Sequence, residues 1–215
     1  MKQRWPILLI ALLIASSSFG QYRKMQVFEL AAGADLIVKG KISLIKGGYF
    51  TLDIKEVLAG DYKGSEVKIK RFKNYKGVKR WAKYQEDEDL FLFLRKGGTS
   101  FEIMGLGGEG EKLIMANEVF LDSRGEGVKN RFGYQPMLLQ GNIYAEKLDL
   151  PDFEDAVRGF RACFSVSYKE VITKDGEAWK EPLTQKICED KELDTYRAKS
   201  WIHDTMAQHA EKVLE

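Results

Sequence analysis

The chain has 215 residues and a nearly balanced charge, with 34 Lys and Arg against 32 Asp and Glu. Its 44% content of hydrophobic residues excludes a disordered protein and is sufficient for one folded domain. Lys2 and Arg4 lie in a separate N-terminal segment, so the rest of the chain is close to neutral. Its overall charge therefore does not attract it to nucleic acid or to an anionic surface.

The N-terminal segment has the pattern of a cleavable export signal. Its basic residues precede an apolar stretch at residues 7–15, and Ser18 and Gly20 offer small side chains to a signal peptidase. The stretch is about half as long as a membrane-spanning helix, which favours cleavage over the alternative, an uncleaved amphiphilic anchor. We predict a signal peptide over residues 1–20. The protein is then extracytoplasmic, periplasmic or secreted, with no transmembrane anchor after cleavage.

The next segments alternate apolar and polar residues, which is the period of a β-strand. The first begins at residue 35, the turn signal Gly47-Gly48 follows, and the alternation resumes at Phe50. These segments predict an antiparallel hairpin. Further strands are expected at residues 66–72, 89–95, 99–104 and 112–121, the second of them apolar on both faces. Such short strands without a long helix between them predict a small closed or nearly closed antiparallel barrel.

The C-terminal part has helical spacing instead. Pro151 and Asp152 begin a helix that we expect to end at Cys163, and residues 192–214 form an amphipathic pattern. Residues 164–190 are mixed. The predicted fold class is mainly β with α, and its predicted parts are a barrel domain at 21–123, an irregular connector at 124–150 and a helical region at 151–215 packed on the barrel.

The cysteines are Cys163 and Cys188. In an oxidising compartment they predict one disulfide, worth about 3–4 kcal/mol in the chain-entropy model. The alternative is a reactive thiol or a metal-binding pair, which needs a histidine or further cysteines nearby. His203 and His209 lie on a separate segment.

Three stretches of the predicted barrel together resemble the netrin-like module, an OB-type barrel also found in tissue inhibitors of metalloproteases and, in related form, in exported bacterial proteins. They are A-D-L-I-V-K-G-K-I at 34–42, I-K-E-V-L-A-G-D at 54–61 and E-D-L-F-L-F-L at 88–94. The resemblance covers residues 30–122 and implies an OB-like barrel that binds a partner. The inhibitors chelate zinc through an N-terminal cysteine. No cysteine precedes Cys163 here, so the resemblance does not imply that activity.

Basic and aromatic residues alternate irregularly between residues 68 and 84. The residues we predict to bind a ligand are Lys76, Lys79, Arg80, Trp81 and Tyr84. Such a mixture suits an anionic glycan, a lipid headgroup or single-stranded nucleic acid, although export argues against nucleic acid. The structural alternative is a solvated strand and loop whose aromatic residues plug the barrel. The acidic run at residues 86–89 could also neutralise the stretch.

The chain shows no catalytic signature. His203 and His209 are six residues apart, so they cannot share a helix face as a metal-binding pair. The G-x-G-x-x-G pattern at 105–110 precedes further extended chain rather than a helix, which indicates a turn. We therefore predict no catalytic residue, no metal site and no cofactor.

Together these observations predict a non-enzymatic exported binding or envelope-associated module. Its expected partner is an anionic glycan or another envelope protein. The alternative is an exported hydrolase of envelope polymers whose carboxylates are assembled by the fold. A third hypothesis makes the C-terminal helix a docking element that the barrel presents to a partner.

Overall fold

A computed structural model describes most of the chain after the N-terminal segment. The described residues are 25–73, 80–105, 109–122, 137–139, 143–172 and 178–213. Within these ranges, no helix is both long enough and apolar enough to span a membrane.

The first five strands close into a barrel. They are β1 (Leu36–Lys46), β2 (Tyr49–Ala59), β3 (Glu66–Lys70), β4 (Asp89–Gly97) and β5 (Ser100–Ile103). They pair in the order β1-β2-β3-β5-β4, and β4 pairs back to β1. The predicted small closed OB-like barrel is therefore confirmed.

The barrel is mixed rather than purely antiparallel. Strand β3 pairs with β5 in parallel, while the other barrel pairs are antiparallel. The reason is geometric, since a closed ring of five strands cannot alternate direction at every step. One neighbouring pair must run in the same direction.

Strand β1 pairs with β2 on one side and with β4 on the other, and its pairing with β2 is irregular. Its register with β2 shifts at three places, one of them between Lys39 and Gly40. A Cβ atom at Gly40 would lie 2.2 Å from the backbone oxygen of Asp53, so the close approach of β1 to β2 requires glycine there. The predicted turn at Gly47-Gly48 joins the strands and pairs Lys46 with Tyr49.

Four more strands extend the sheet outward from β4. They are β6 (Glu111–Met115), β7 (Glu118–Asp122), β8 (Met137–Leu139) and β9 (Ile143–Asp149). The predicted extended segment at 112–121 is thus two strands, joined by Ala116 and Asn117 with φ of 50° and 65°. The expectation of an irregular connector was wrong for β9, which pairs with β7. Because β7 is more than 20 residues before β9 in the sequence, the local pattern of residues 143–149 does not reveal this pairing.

The helices of the described ranges are α1 (Val27–Gly33), α2 (Leu150–Cys163), α3 (Asp190–Arg197) and α4 (Trp201–Glu211), and they share one hydrophobic core with Phe91 and Phe93 of β4. Helix α2 confirms the predicted start, since Asp149 accepts a hydrogen bond from the Asp152 amide at 3.2 Å. Helix α1 was not predicted. The helix expected at 192–214 is two helices, because the backbone is extended at Ser200, with φ of −161° and ψ of 171°.

The hairpin β10 (Phe164–Ile172) and β11 (Ala178–Lys186) lies between α2 and α3. It lies within residues 164–190, where the sequence shows neither a clear helical nor a clear strand pattern. Cys163 and Cys188 form a disulfide across the base of this hairpin, as predicted.

Strand β4 separates two hydrophobic cores. Leu90, Leu92 and Leu94 face the barrel interior, whereas Phe91 and Phe93 belong to the core under the helices. The ring of Phe153 on α2 lies 5.0 Å from Phe91 and 6.4 Å from Phe93. The apolar run in the sequence is thus a strand buried between two layers, as expected.

Candidate functional site

The structure describes three of the five residues predicted to bind a ligand. Lys76 and Lys79 fall at 74–79, outside the described residues. Arg80 and Trp81 are buried, with 4% and 5% of their surfaces exposed, and Tyr84 is half-buried. Arg80, Trp81 and Tyr84 therefore make contacts inside the protein.

Arg80 is held by two carboxylates and two rings. Its Nε donates to Oε1 of Glu111 at 2.8 Å, and its Nη2 donates to Oε2 of Glu88 at 2.6 Å. The guanidinium carbon lies 4.1 Å from the ring centre of Trp81 and 4.0 Å from that of Tyr84. The positive charge is thus compensated within the protein.

Tyr84 extends this network to the backbone. Its hydroxyl donates to Oε2 of Glu111 at 2.9 Å and accepts a hydrogen bond from the Phe72 amide at 3.1 Å. Burial raises the pKa of the Tyr84 hydroxyl and of the Glu111 carboxyl. Burial is the largest single influence on the pKa of Arg80 and lowers it, but the charges of Glu111 and Glu88 and the hydrogen bond to Glu111 together raise the pKa above its usual value.

These contacts match the structural alternative for this part of the stretch. They fasten the chain before β4 to the start of β6, and none of them presents Arg80 or Trp81 to solvent. A ligand-binding role for Arg80, Trp81 and Tyr84 stays a prediction. The exposed lysines at the start of the same stretch, Lys68, Lys70 and Lys73, lie on or directly after β3.

An exposed basic face covers the outside of β1, β2 and β3 near the Gly47-Gly48 turn. The basic face consists of Lys46, Tyr49, Lys68 and Lys70 on the strands, together with the half-buried Arg71 and the exposed Lys73 in the chain that follows β3. Alternation along the strands creates it, because Phe50 and Ile69 point inward and are 1% and 0% exposed. Tyr49 pairs with Lys46 on one side and with Lys70 on the other.

Most cations of the basic face have no carboxylate partner in the described part of the chain. Lys70 is the exception, at 2.8 Å from Glu102. The Lys68 ammonium lies 4.5 Å from the ring centre of Tyr49, and the Arg71 guanidinium donates to the Gly47 carbonyl. Glu86 is at the margin, where it accepts from the Ile45 amide. Residues 74–79 contain two lysines and no acidic residue, so the adjoining sequence adds positive charge only.

A cleft of about 270 Å³ lies at the opposite end of β1, beside the β6–β7 turn and the start of α2. Its charges are already paired. Lys39 lies 2.8 Å from Glu56 and 2.6 Å from Glu154, and Lys55 lies 2.6 Å from Asp89. A ligand there would have to break these ion pairs, so the cleft is the weaker candidate.

The structure also brings together Ser200, His203 and Asp155. The His203 ring is 1% exposed, with Nδ1 at 2.8 Å from the Ser200 hydroxyl and Nε2 at 3.0 Å from Oδ2 of Asp155. Since an ionised carboxylate only accepts, Nε2 carries the proton and Nδ1 accepts from Ser200. Burial lowers the pKa of His203, and the hydrogen bond from Lys199 lowers that of Asp155. This chain of contacts joins α4 to α2.

No group of three or more metal-ligating side chains occurs within the described ranges. No family model, curated protein or solved structure matches the chain. Membership of the netrin-like family therefore remains a proposal.

Sequence reasoning missed the contribution of β1 and β2 to the basic face. The signal was present, because the Gly47-Gly48 turn places Lys46 opposite Tyr49 and the alternation puts both outside. The sequence does not show that β2 pairs with β3, and this pairing aligns Tyr49 with Lys70.

Proposed function

We propose that the protein is an exported, non-enzymatic binding module of the netrin-like OB type that holds an anionic ligand of the cell envelope on the basic face. The observation that carries the proposal is the cluster of Lys46, Lys68, Arg71 and Lys73, which form no ion pair with another described residue. Lys46 pairs with the exposed Tyr49, Lys68 lies over its ring and Arg71 binds the adjoining turn, so these cations give a local positive field on a chain that is nearly neutral overall.

Two observations support export. Residues 1–20 have the pattern of a signal peptide. The disulfide between Cys163 and Cys188 is of the kind that persists in an oxidising compartment. The expected ligand classes, an anionic glycan or an acidic envelope protein, both occur there.

The test is binding to a soluble polyanion, with heparin as the probe. The protein is compared with the triple variant Lys46→Ala, Lys68→Ala and Arg71→Ala at low and moderate salt. We expect binding that weakens with salt and is lost in the variant, because exposed charges are screened. Lys191 and Lys212 are exposed lysines at other positions, and their double alanine variant is the control. Equal binding by the wild type and the triple variant would refute the assignment to the basic face.

A second candidate function, an exported hydrolase, is favoured by the contacts among Ser200, His203 and Asp155. They have the order of hydrogen bonds of a serine nucleophile, its base and the orienting acid. A hydrolase that uses carboxylates, the alternative drawn from the sequence, has less support, because Glu111, whose pKa burial raises, is 0% exposed.

The hydrolase candidate is tested by labelling with a fluorophosphonate probe. Labelling that is lost in Ser200→Ala and reduced in Asp155→Asn would establish it. No labelling of the folded wild-type protein would remove it and leave these residues as a link between helices.

A further inference from the structure

The β1–β2 hairpin projects from the barrel at the basic face. A Cβ atom at Gly47 or Gly48 would meet no other atom within 4 Å, so the turn stands in open solvent. Two large side chains on this hairpin are exposed although they are hydrophobic, Leu44 by 50% and Tyr49 by 36%. Binding of a soluble anion makes no use of these two exposed side chains.

Cations of the basic face lie beside the apolar side chains, while Glu86 and Asp87 bond to the other edge of β1 at Ile45 and Ile42. Leu44 and Lys46 point to the same side of β1, since they are two residues apart on one strand. Arg71 is fixed at the turn itself, because its amide donates to the Gly48 carbonyl at 2.8 Å and its guanidinium donates to the Gly47 carbonyl. The turn therefore presents apolar and positively charged groups together.

From this juxtaposition we infer that the anionic ligand is the headgroup surface of a phospholipid bilayer, into which the β1–β2 turn inserts. Leu44 enters the boundary between headgroups and acyl chains, and Tyr49 lies at headgroup level. Lys46, Arg71 and their neighbours contact the lipid phosphates. The inference rests on the proposed function, because both use the same cations.

The observations favour a bilayer over a soluble glycan for two reasons. The Lys68 ammonium lies 4.5 Å from the centre of the Tyr49 ring, so that side of the ring is not available to stack on a sugar. A glycan would also leave Leu44 in water, whereas a bilayer removes the side chain from water. Charge complementarity alone would fit either ligand, and the exposed leucine distinguishes them.

The experiment is co-sedimentation of the protein without the predicted signal peptide, from residue 21 onward, with vesicles. One vesicle preparation contains equal amounts of phosphatidylglycerol and phosphatidylcholine, and the other contains phosphatidylcholine only. The variants are Leu44→Ser and the pair Lys46→Ala with Arg71→Ala. The matched controls are Ile187→Ser, which changes a side chain that is 55% exposed elsewhere, and the double Lys191→Ala, Lys212→Ala variant. All proteins keep the same N-terminus.

We expect binding to the anionic vesicles only. The Lys46→Ala, Arg71→Ala variant should bind the anionic vesicles about thirtyfold more weakly, because each basic residue contributes about 1 kcal/mol. Loss of the partly exposed Leu44 side chain weakens it about fivefold. The control variants bind as the wild type does. An unchanged thermal unfolding midpoint shows that each variant is folded.

Heparin binding measured in parallel separates the two proposals. Binding to heparin without binding to anionic vesicles would overturn the bilayer inference and leave the proposed function in place. Vesicle binding that is lost with the cations but unchanged in Leu44→Ser would overturn insertion of the turn. Failure to bind either probe would overturn the proposed function as well.

Discussion

Arg80 and Glu111 form an ion pair in the interior of the protein, at 2.8 Å and with side chains that are 1% and 0% exposed. The pair joins the chain before β4 to the first residue of β6. Glu88 makes a second contact with Arg80 at 2.6 Å. A buried pair of this kind depends on both partners, because either charge alone is poorly solvated in the interior.

We predict that Arg80→Ala lowers the free energy of unfolding by about 3–5 kcal/mol, since it leaves the Glu111 carboxylate buried without its main partner. Urea unfolding followed by circular dichroism measures the effect. Lys83→Ala, which removes an exposed cation three positions later, is the control and should change stability by less than about 0.5 kcal/mol. A small effect of Arg80→Ala would mean that the pair is accessible to water.

Reduction of the disulfide is expected to destabilise the helical side of the molecule. Cys163 and Cys188 are 25 residues apart, and loss of a link of this length costs about 3–4 kcal/mol in the chain-entropy model. The double variant Cys163→Ala, Cys188→Ala should show this loss in urea unfolding. Added dithiothreitol should lower the wild type to the same stability and leave the variant unchanged. If the reductant affects both proteins equally, the effect does not come from this disulfide.

Stability should fall as the pH is lowered below 6.5, the usual pKa of histidine, because burial lowers the pKa of His203 in the folded protein. Between the two pKa values the unfolded chain binds a proton that the folded protein does not, so acid favours unfolding. The depressed pKa of Asp155 acts only below about its usual value of 3.8, outside this window. The measurement is the free energy of unfolding from about pH 7 to pH 5.

Two variants test this assignment. His203→Gln removes the titrating group and should flatten the dependence. Asp155→Asn should extend it to lower pH, because the hydrogen bond that His203 donates to the Asp155 carboxylate raises the pKa of His203. A slope that is the same in His203→Gln and the wild type would show that another group is responsible.

Gly40→Ala should destabilise the barrel by at least about 1–3 kcal/mol, because the added Cβ atom would lie 2.2 Å from the rigid backbone oxygen of Asp53. Gly48→Ala is the matched control, since a Cβ atom there meets nothing within 4 Å. Thermal unfolding of the two variants gives the comparison. Similar midpoints for both would contradict the close approach of β1 to β2.

Several elements were predictable because the information is local. The alternation on either side of Gly47-Gly48 determines the β1–β2 hairpin, and the apolar run of β4 requires cover on both faces. Pro151 with a capping aspartate determines the start of α2. In each case the pattern lies within a few residues, so the chain specifies the element before any tertiary contact forms.

The remaining features depend on residues that are distant in sequence. Arg80 and Lys68 look alike in the basic stretch. Arg80 is buried because it binds Glu111, which lies 31 positions later in the sequence. Lys68 is exposed because its neighbour Ile69 points into the barrel. The parallel pair of β3 and β5 follows from closure of an odd-numbered ring. Sequence alone thus determined the class of the fold. Only the tertiary structure decided which charges are compensated and which face the solvent, because that depends on strand register and barrel closure.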